Sequence, residues 1–236
     1  MSLTKKQIDA LIDRNCGTND TSYPVADKTA DVNLALDEIL GFMFPRGGTW
    51  QLDDANHTDY PIIFTNLISG QRDYTFTTDE GGNMILDIYR VMVADSIGRF
   101  YDLDRVDQQL PDSENISMVD GQNLTGRPAR YDKTANGIFL DLIPDYNYAS
   151  GLKVFINREA SYFTAVDTTK KAGFAHLFHE YLALRPSYQY AYRNGLSNLV
   201  SLRDEMLRMQ QEIKTYYDRR EKDVEHRIIM EPINFL

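Results

Sequence analysis

The sequence holds one cysteine, Cys16, and one tryptophan, Trp50, in 236 residues. A lone cysteine closes no internal disulfide and builds no zinc site by itself, so stability must come from packing or assembly. No stretch approaches the roughly 18 uninterrupted apolar residues that span a bilayer. The start, with Lys5 and Lys6 ahead of a mixed Gln7 to Ile12, lacks an apolar signal-peptide core. The chain is therefore expected to be soluble, made in the cytoplasm and without membrane contact. Neither G-x-x-x-x-G-K-[ST] nor G-x-S-x-G occurs, and Arg46-Gly-Gly48 is too short to cradle a phosphate. What is present, 42% hydrophobic and 25% charged residues, excludes disorder over the whole length. It suits one domain with an appendage, or two small domains.

The net charge of −10 is uneven. Residues 50–150 carry 7 basic and 17 acidic side chains and hold the whole excess, while 151–201 carry 6 and 3. A surface that grips duplex DNA needs clustered Lys and Arg, so the middle of the chain is expected to repel DNA. Its simplest role is solubility.

Thr4 and Gln7 form a capping-box pattern, and Ile8, Leu11 and Ile12 continue it at helical spacing until Gly17, predicting a helix from Thr4 to Asn15. Val32, Leu36, Ile39 and Met43 predict a second, from Ala30 to Phe44, closed by Pro45 and Gly47-Gly48. From about Tyr60 to Phe163 the period changes to short β-branched and aromatic runs between turn clusters. Seven strands are expected: Ile62–Asn66, Asp73–Thr77, Ile85–Ala94, Phe100–Leu103, Ala129–Lys133, Ile138–Leu142 and Lys153–Arg158. Asn136-Gly137 predicts a hairpin by tolerating positive φ, and Pro111 to Arg127 reads as a long exposed loop. Helix returns near Phe174 with the stripe Phe174, Phe178, Tyr181, Leu184, Tyr188 and Tyr192, which Pro186 should kink or break. The last helix, about Leu196 to Glu225, carries Leu199, Leu202, Met206, Met209, Ile213 and Tyr216 as an a/d seam. The fold class that follows is α+β, with N- and C-terminal helices forming a helical bundle and an antiparallel β-rich domain inserted between them. Its parts are residues 1–48, 49–170, 171–227 and an apolar tail, 228–236.

Catalytic motifs are scarce. His176 and His179 share a helical face, but neither H-E-x-x-H nor H-x-x-E-H is present and no third ligand is marked, so half-buried histidines bonded to neighbours are expected instead. Asp53-Asp54 and the series Asp102, Asp104, Asp107 supply carboxylates without the sheltered cleft that glycosidase chemistry or a firm cation site requires. No cofactor or metal is expected. The fifteen tyrosines and eleven phenylalanines serve cores and interfaces alike. In the tail, Ile228, Ile229, Met230, Ile233, Phe235 and Leu236 would each gain about 1.5–3 kcal/mol on full burial, so this segment is expected to dock, on its own chain or on a partner.

Several phrases in fixed order carry a resemblance: Asp31-Val-Asn-Leu-Ala-Leu-Asp-Glu38, Gly48-Thr-Trp-Gln-Leu-Asp-Asp54, Ser69-Gly-Gln-Arg-Asp-Tyr-Thr-Phe76, Arg127-Pro-Ala-Arg-Tyr131 with Ile138-Phe-Leu-Asp-Leu-Ile-Pro144, and Tyr162-Phe-Thr164 before Asp167-Thr-Thr169. Together, over about residues 27–220, the chain resembles the head-to-tail adaptor (connector, neck) proteins of tailed bacteriophages. The resemblance implies a non-enzymatic virion protein in a homo-oligomeric ring, twelve-fold by analogy with the portal. Helices and C-terminal segment would contact the portal protein, and the β part would meet the next neck or tail ring. Genomic DNA would pass through the ring without specific binding, with Asp53, Asp54, Asp102, Asp104 and Asp107 as a candidate acidic channel or ring surface. A tail, baseplate or head-completion component is the alternative within that class. A carbohydrate-binding or hydrolytic virion module is the alternative outside it, with a lone Trp50 as a thin sugar platform.

Overall fold

A computed structural model describes residues 2–46, 62–79, 82–107, 124–134 and 136–220. Among the described residues the fold is mixed α+β, with four helices and two four-stranded sheets. Helix α1, Lys5–Cys16, begins as its capping box dictates: the Thr4 hydroxyl accepts from the Gln7 N–H while the Gln7 side chain accepts from the Thr4 N–H, and Gly17 ends the helix at φ 65°. Helix α2, Val25–Met43, starts five residues before the expected Ala30. Pro24, which has no N–H to leave unsatisfied, stands at its N-cap, and the buried Lys28 is held there by Asp13 and Asp20, each at 2.8 Å. A 3₁₀ turn, Phe44–Arg46, follows.

The strands are β1 (Ile62–Leu67), β2 (Asp73–Thr75), β3 (Ile85–Ala94), β4 (Phe100–Asp102), β5 (Asp104–Arg105), β6 (Arg130–Thr134), β7 (Gly137–Leu140) and β8 (Tyr148–Arg158). One sheet has the order β1-β8-β3-β4 and is antiparallel throughout; the other is β2-β7-β6-β5. The isolated bridge between Thr125 and Ile143 is parallel, and the expected antiparallel pattern also fails within the second sheet, where β5 pairs with β6 in parallel. That pairing is only two residues long and has no turn signal of its own. In β8, Leu152, Val154 and Ile156 are buried while Lys153, Phe155 and Asn157 alternate outward. The inward residues of both sheets, among them Ile63, Val91, Val154, Tyr74, Tyr131 and Ile138, share one apolar cluster.

The hairpin at Asn136-Gly137 forms, with Thr134 opposite Gly137. Its glycine is needed for space rather than for φ, which lies outside the left-handed region: a Cβ there would stand 2.2 Å from the Tyr74 carbonyl oxygen on β2.

After β8 the chain crosses to a 3₁₀ turn, His176–Phe178, and to helices α3 (Tyr181–Asn194) and α4 (Leu199–Arg220). Pro186 does not break α3. The helix starts only at Tyr181, so the buried Pro186 falls in its second turn and removes one intrahelical donor, opposite the Leu182 carbonyl. On α4 the buried seam is Leu202, Met206, Met209, Ile213 and Tyr217. Leu199 and Tyr216 are only partly buried beside it, so Tyr217 takes the place expected for Tyr216. This seam joins Ile8, Ile12, Val32, Ile39, Phe163 and Tyr181 in a second apolar cluster.

Gly137→Ala should lower stability by about 1–3 kcal/mol, because the clash is with backbone that cannot swing aside. Tyr217→Ala should cost about 3 kcal/mol or more, and Leu207→Ala, on the exposed face of α4, within about 0.5 kcal/mol. Urea unfolding midpoints at constant slope measure all three.

Candidate interaction surfaces

The phrase Asp31–Glu38 lies on α2, and its polar side chains all have partners. Asp31 accepts from the Tyr23 hydroxyl at 2.5 Å, and the Tyr23 ring stacks on Tyr190 with centroids 4.6 Å apart. Burial, and after it the Asp31 carboxylate, push the Tyr23 phenol far up, which keeps it a donor. Asn33 treats Phe163 as a strand would: its Nδ2 donates to the Phe163 carbonyl at 2.9 Å and its Oδ1 accepts from the Phe163 N–H at 3.0 Å. The Tyr162 hydroxyl donates to Asp37 at 2.6 Å. Glu38 accepts from the Tyr181 hydroxyl at 2.7 Å and from Arg185 Nε at 3.0 Å. The phrase Tyr162–Thr164 is thus the point where the chain, leaving β8, is gripped by α2. A few residues on, the Lys5 N–H donates to the Lys170 carbonyl at 2.8 Å, tying the same crossing to the start of α1.

Two more phrases, Ser69–Phe76 and Arg127–Tyr131 with Ile138–Pro144, meet at one end of the sheets. The Gly70 N–H donates to the Pro144 carbonyl at 2.9 Å, and Arg72 donates to the carbonyls of Leu140 at 3.1 Å and Asp141 at 2.7 Å. The Asp141 carboxylate in turn accepts from the Ala129 N–H at 3.0 Å. These residues hold turns in register and contain no nucleophile aligned with a base. Gly48–Asp54 and Trp50 lie outside the described residues.

The sequence matches no family model and no curated protein significantly.

The outward face of β1-β8-β3-β4 carries exposed aromatic and apolar side chains. Phe64 is 46% and Tyr89 44% exposed, with Phe100, Phe155 and Met92 partly buried around them. Lys153 stands over the Phe100 ring at 3.7 Å and the Phe64 ring at 5.6 Å. Arg90 lies 4.9 Å over Phe155 and grips Asp102 with two bonds, at 2.6 and 2.9 Å. Cations cover a face of Phe64, Phe100 and Phe155, so these three rings are not the open platform on which a sugar would stack.

The same ion pair bears on the expected acidic surface. Arg90 holds the Asp102 carboxyl below the usual carboxylate range, so the charge of this one carboxylate is already balanced in place. Asp104 on β5 and Asp107 after it are exposed. Asp53 and Asp54 lie outside the described residues, as does every residue of the tail, Ile228, Ile229, Met230, Ile233, Phe235 and Leu236. Of the 17 acidic residues in 50–150, seven lie outside, whereas all seven basic ones lie within.

His179 is 1% exposed, and both its ring nitrogens are engaged by backbone. His176 is exposed. Among the described residues no cluster of three or more His, Cys, Asp or Glu is placed to hold a metal, and no helix is long and apolar enough to cross a membrane. Sequence reasoning missed the Asn33–Phe163 pairing, although the Asp31–Glu38 phrase itself stood out.

Asn33→Ala leaves both backbone groups of Phe163 without their partner and should lower stability by about 2 kcal/mol. Asn33→Asp, which keeps the acceptor and loses the donor, should fall between the two. Denaturant unfolding of the three proteins side by side tests the ordering.

Proposed function

We propose that this chain is a virion structural protein: a head-to-tail adaptor of a tailed bacteriophage, assembled as a ring beneath the portal, joining the capsid vertex to the tail. In this reading residues 1–48 and 171–227 form a helical bundle, 49–170 are an inserted β-rich domain, and 228–236 dock on the portal or another partner. The observation that carries it is the division of the core. One apolar cluster gathers residues from Ile8 to Met43 and from Ala160 to Tyr217, and the other gathers only residues from Ile63 to Ile156. That division suits the helix, sheet, helix plan of such connectors. The order of the phrases supports it too, since four of the five lie within the described residues, two of them joining α2 to the chain that leaves β8 and two bracing turns of the sheets.

The ring would line part of the DNA channel. Excess carboxylate facing that channel keeps phosphates from adhering as DNA slides through at ejection. A ring reconstruction with the carboxylates of 50–150 all turned outward would exclude this part of the proposal.

Native mass spectrometry of the protein alone, and after mixing with its cognate portal ring, is the direct test. The expected result is a portal whose mass rises by a full ring of subunits. Failure to bind, with the protein monomeric or closed on itself, overturns the adaptor reading. Deleting Ile228 to Leu236 should leave a folded subunit that no longer holds the portal, because buried apolar anchors dominate interface energy; circular dichroism and the same mass measurement read the two effects separately.

A further inference from the structure

We propose that His179 is a pH-sensitive latch that holds residues 2–4 on the helical cluster at neutral pH and releases them in acid. This goes beyond the adaptor proposal and does not depend on it. The Leu3 N–H donates to His179 Nδ1 at 3.1 Å, and His179 Nε2 lies 3.1 Å from the Phe174 carbonyl. These partners fix the tautomer: Nδ1 faces a donor and must offer its lone pair, so the proton sits on Nε2 and points at the carbonyl. The imidazole therefore joins the extended start of the chain to the turn before α3. Leu3 packs against the apolar cluster, and Thr4 bridges to Lys171 beside it.

A second proton has one place to go, Nδ1, where it would confront the Leu3 N–H. Two donors then face each other across a bond that has lost its acceptor, around a cation that is almost wholly shielded from water. Burial comes first among the influences that hold this histidine below the ordinary imidazole range. The charges that act on it are His176 on the same turn and the amino group at the start of the chain, both of which oppose a positive ring. On the neighbouring elements, Lys5 is paired with Asp9 at 2.6 Å and Lys170 donates to the Tyr162 carbonyl. Lys6 and Lys171 add only positive charge, and Glu180 is exposed with no bond to the ring. Among the described residues no carboxylate is bonded or ion-paired to His179.

The sign follows from proton binding. The released state takes up the proton with the ordinary imidazole pKa, about 6.5, and the latched state resists it, so release is favoured as pH falls through that value. Between pH 7.5 and 5 the opening equilibrium should rise about 30-fold.

Amide hydrogen exchange of the full chain, followed by NMR at several pH values and expressed as protection factors, tests this. Leu3 protection should drop about 30-fold between pH 7.5 and 5, while Ile213 on α4 keeps its protection. His179→Asn offers an oxygen to the Leu3 N–H and cannot titrate, so its Leu3 protection should stay flat. A flat wild-type profile overturns the proposal, as does an equal drop in His179→Asn. Should that variant not fold, the ring signals of wild-type His179 decide. Titration below 6.5 with Leu3 protection lost in step supports the latch, and titration at the ordinary value with Leu3 still protected refutes it.

Discussion

The grip of α2 on the chain returning from the sheets is the constraint on which the rest of the structure depends. The helical cluster joins residues near the start of the sequence to residues beyond Ala160, and apolar burial supplies most of the energy for that union but little direction. Direction comes from Asp31, Asn33, Asp37 and Glu38, whose partners are Tyr23, the Phe163 backbone, Tyr162, and Tyr181 with Arg185. Each such bond is worth only about 1 kcal/mol net. Misplacing α2 by one turn would break the set together while leaving apolar contacts that other residues can replace, so the polar row fixes register more than it adds stability.

Within the sheets a similar division holds. Val91, Val154, Ile138 and Leu140 fill the shared interior, and the end of β8 is fixed by a buried ion pair between Arg158 and Asp79, which Asn83 also supports. A buried pair of this kind is weak evidence for stability, since desolvation offsets most of its attraction. Its geometric effect is plain: it fastens the last residue of the longest strand to the loop that leads into β3. The opposite arrangement is found on the outward face, where Lys153 and Arg90 spread over aromatic rings and keep half-exposed apolar surface wetted.

Local signals were legible in the sequence where they were complete within a few residues. The Thr4–Gln7 capping box, the Gly17 stop, the full length of β3 and the hairpin at Asn136 are of this kind. The early start of α2 was masked because Asp27, Lys28 and Thr29 look like loop, although Pro24 and an acid in the first turn were there to be read. Strand β8 begins at Tyr148, which pairs with Leu67, and Ala149, Ser150 and Gly151, residues with little strand preference, form the bulge before Leu152 pairs with Thr65, with Ser150 at φ 52°. Tyr216 and Tyr217 are adjacent, and a heptad count alone cannot say which of the two turns inward. The interaction surfaces were the least legible part. Asn33 and Phe163 are 130 residues apart, and Asp102 meets Arg90 only because a hairpin folds one strand onto the next.

The pairing of β1 with β8, which sets Ile62 opposite Phe155, bears on the order of events in folding. A helical cluster assembled first would have to close an unstructured loop of roughly 110 residues. Once the sheets have formed, the first and last strands already lie side by side, and the loop left to close shrinks to on the order of 17 residues. At about 0.6 kcal/mol per doubling of length, that lowers the entropic barrier to bringing the two ends of the sequence together by roughly 2 kcal/mol. Loop closure by itself therefore favours forming the sheets before the two helical ends of the sequence unite.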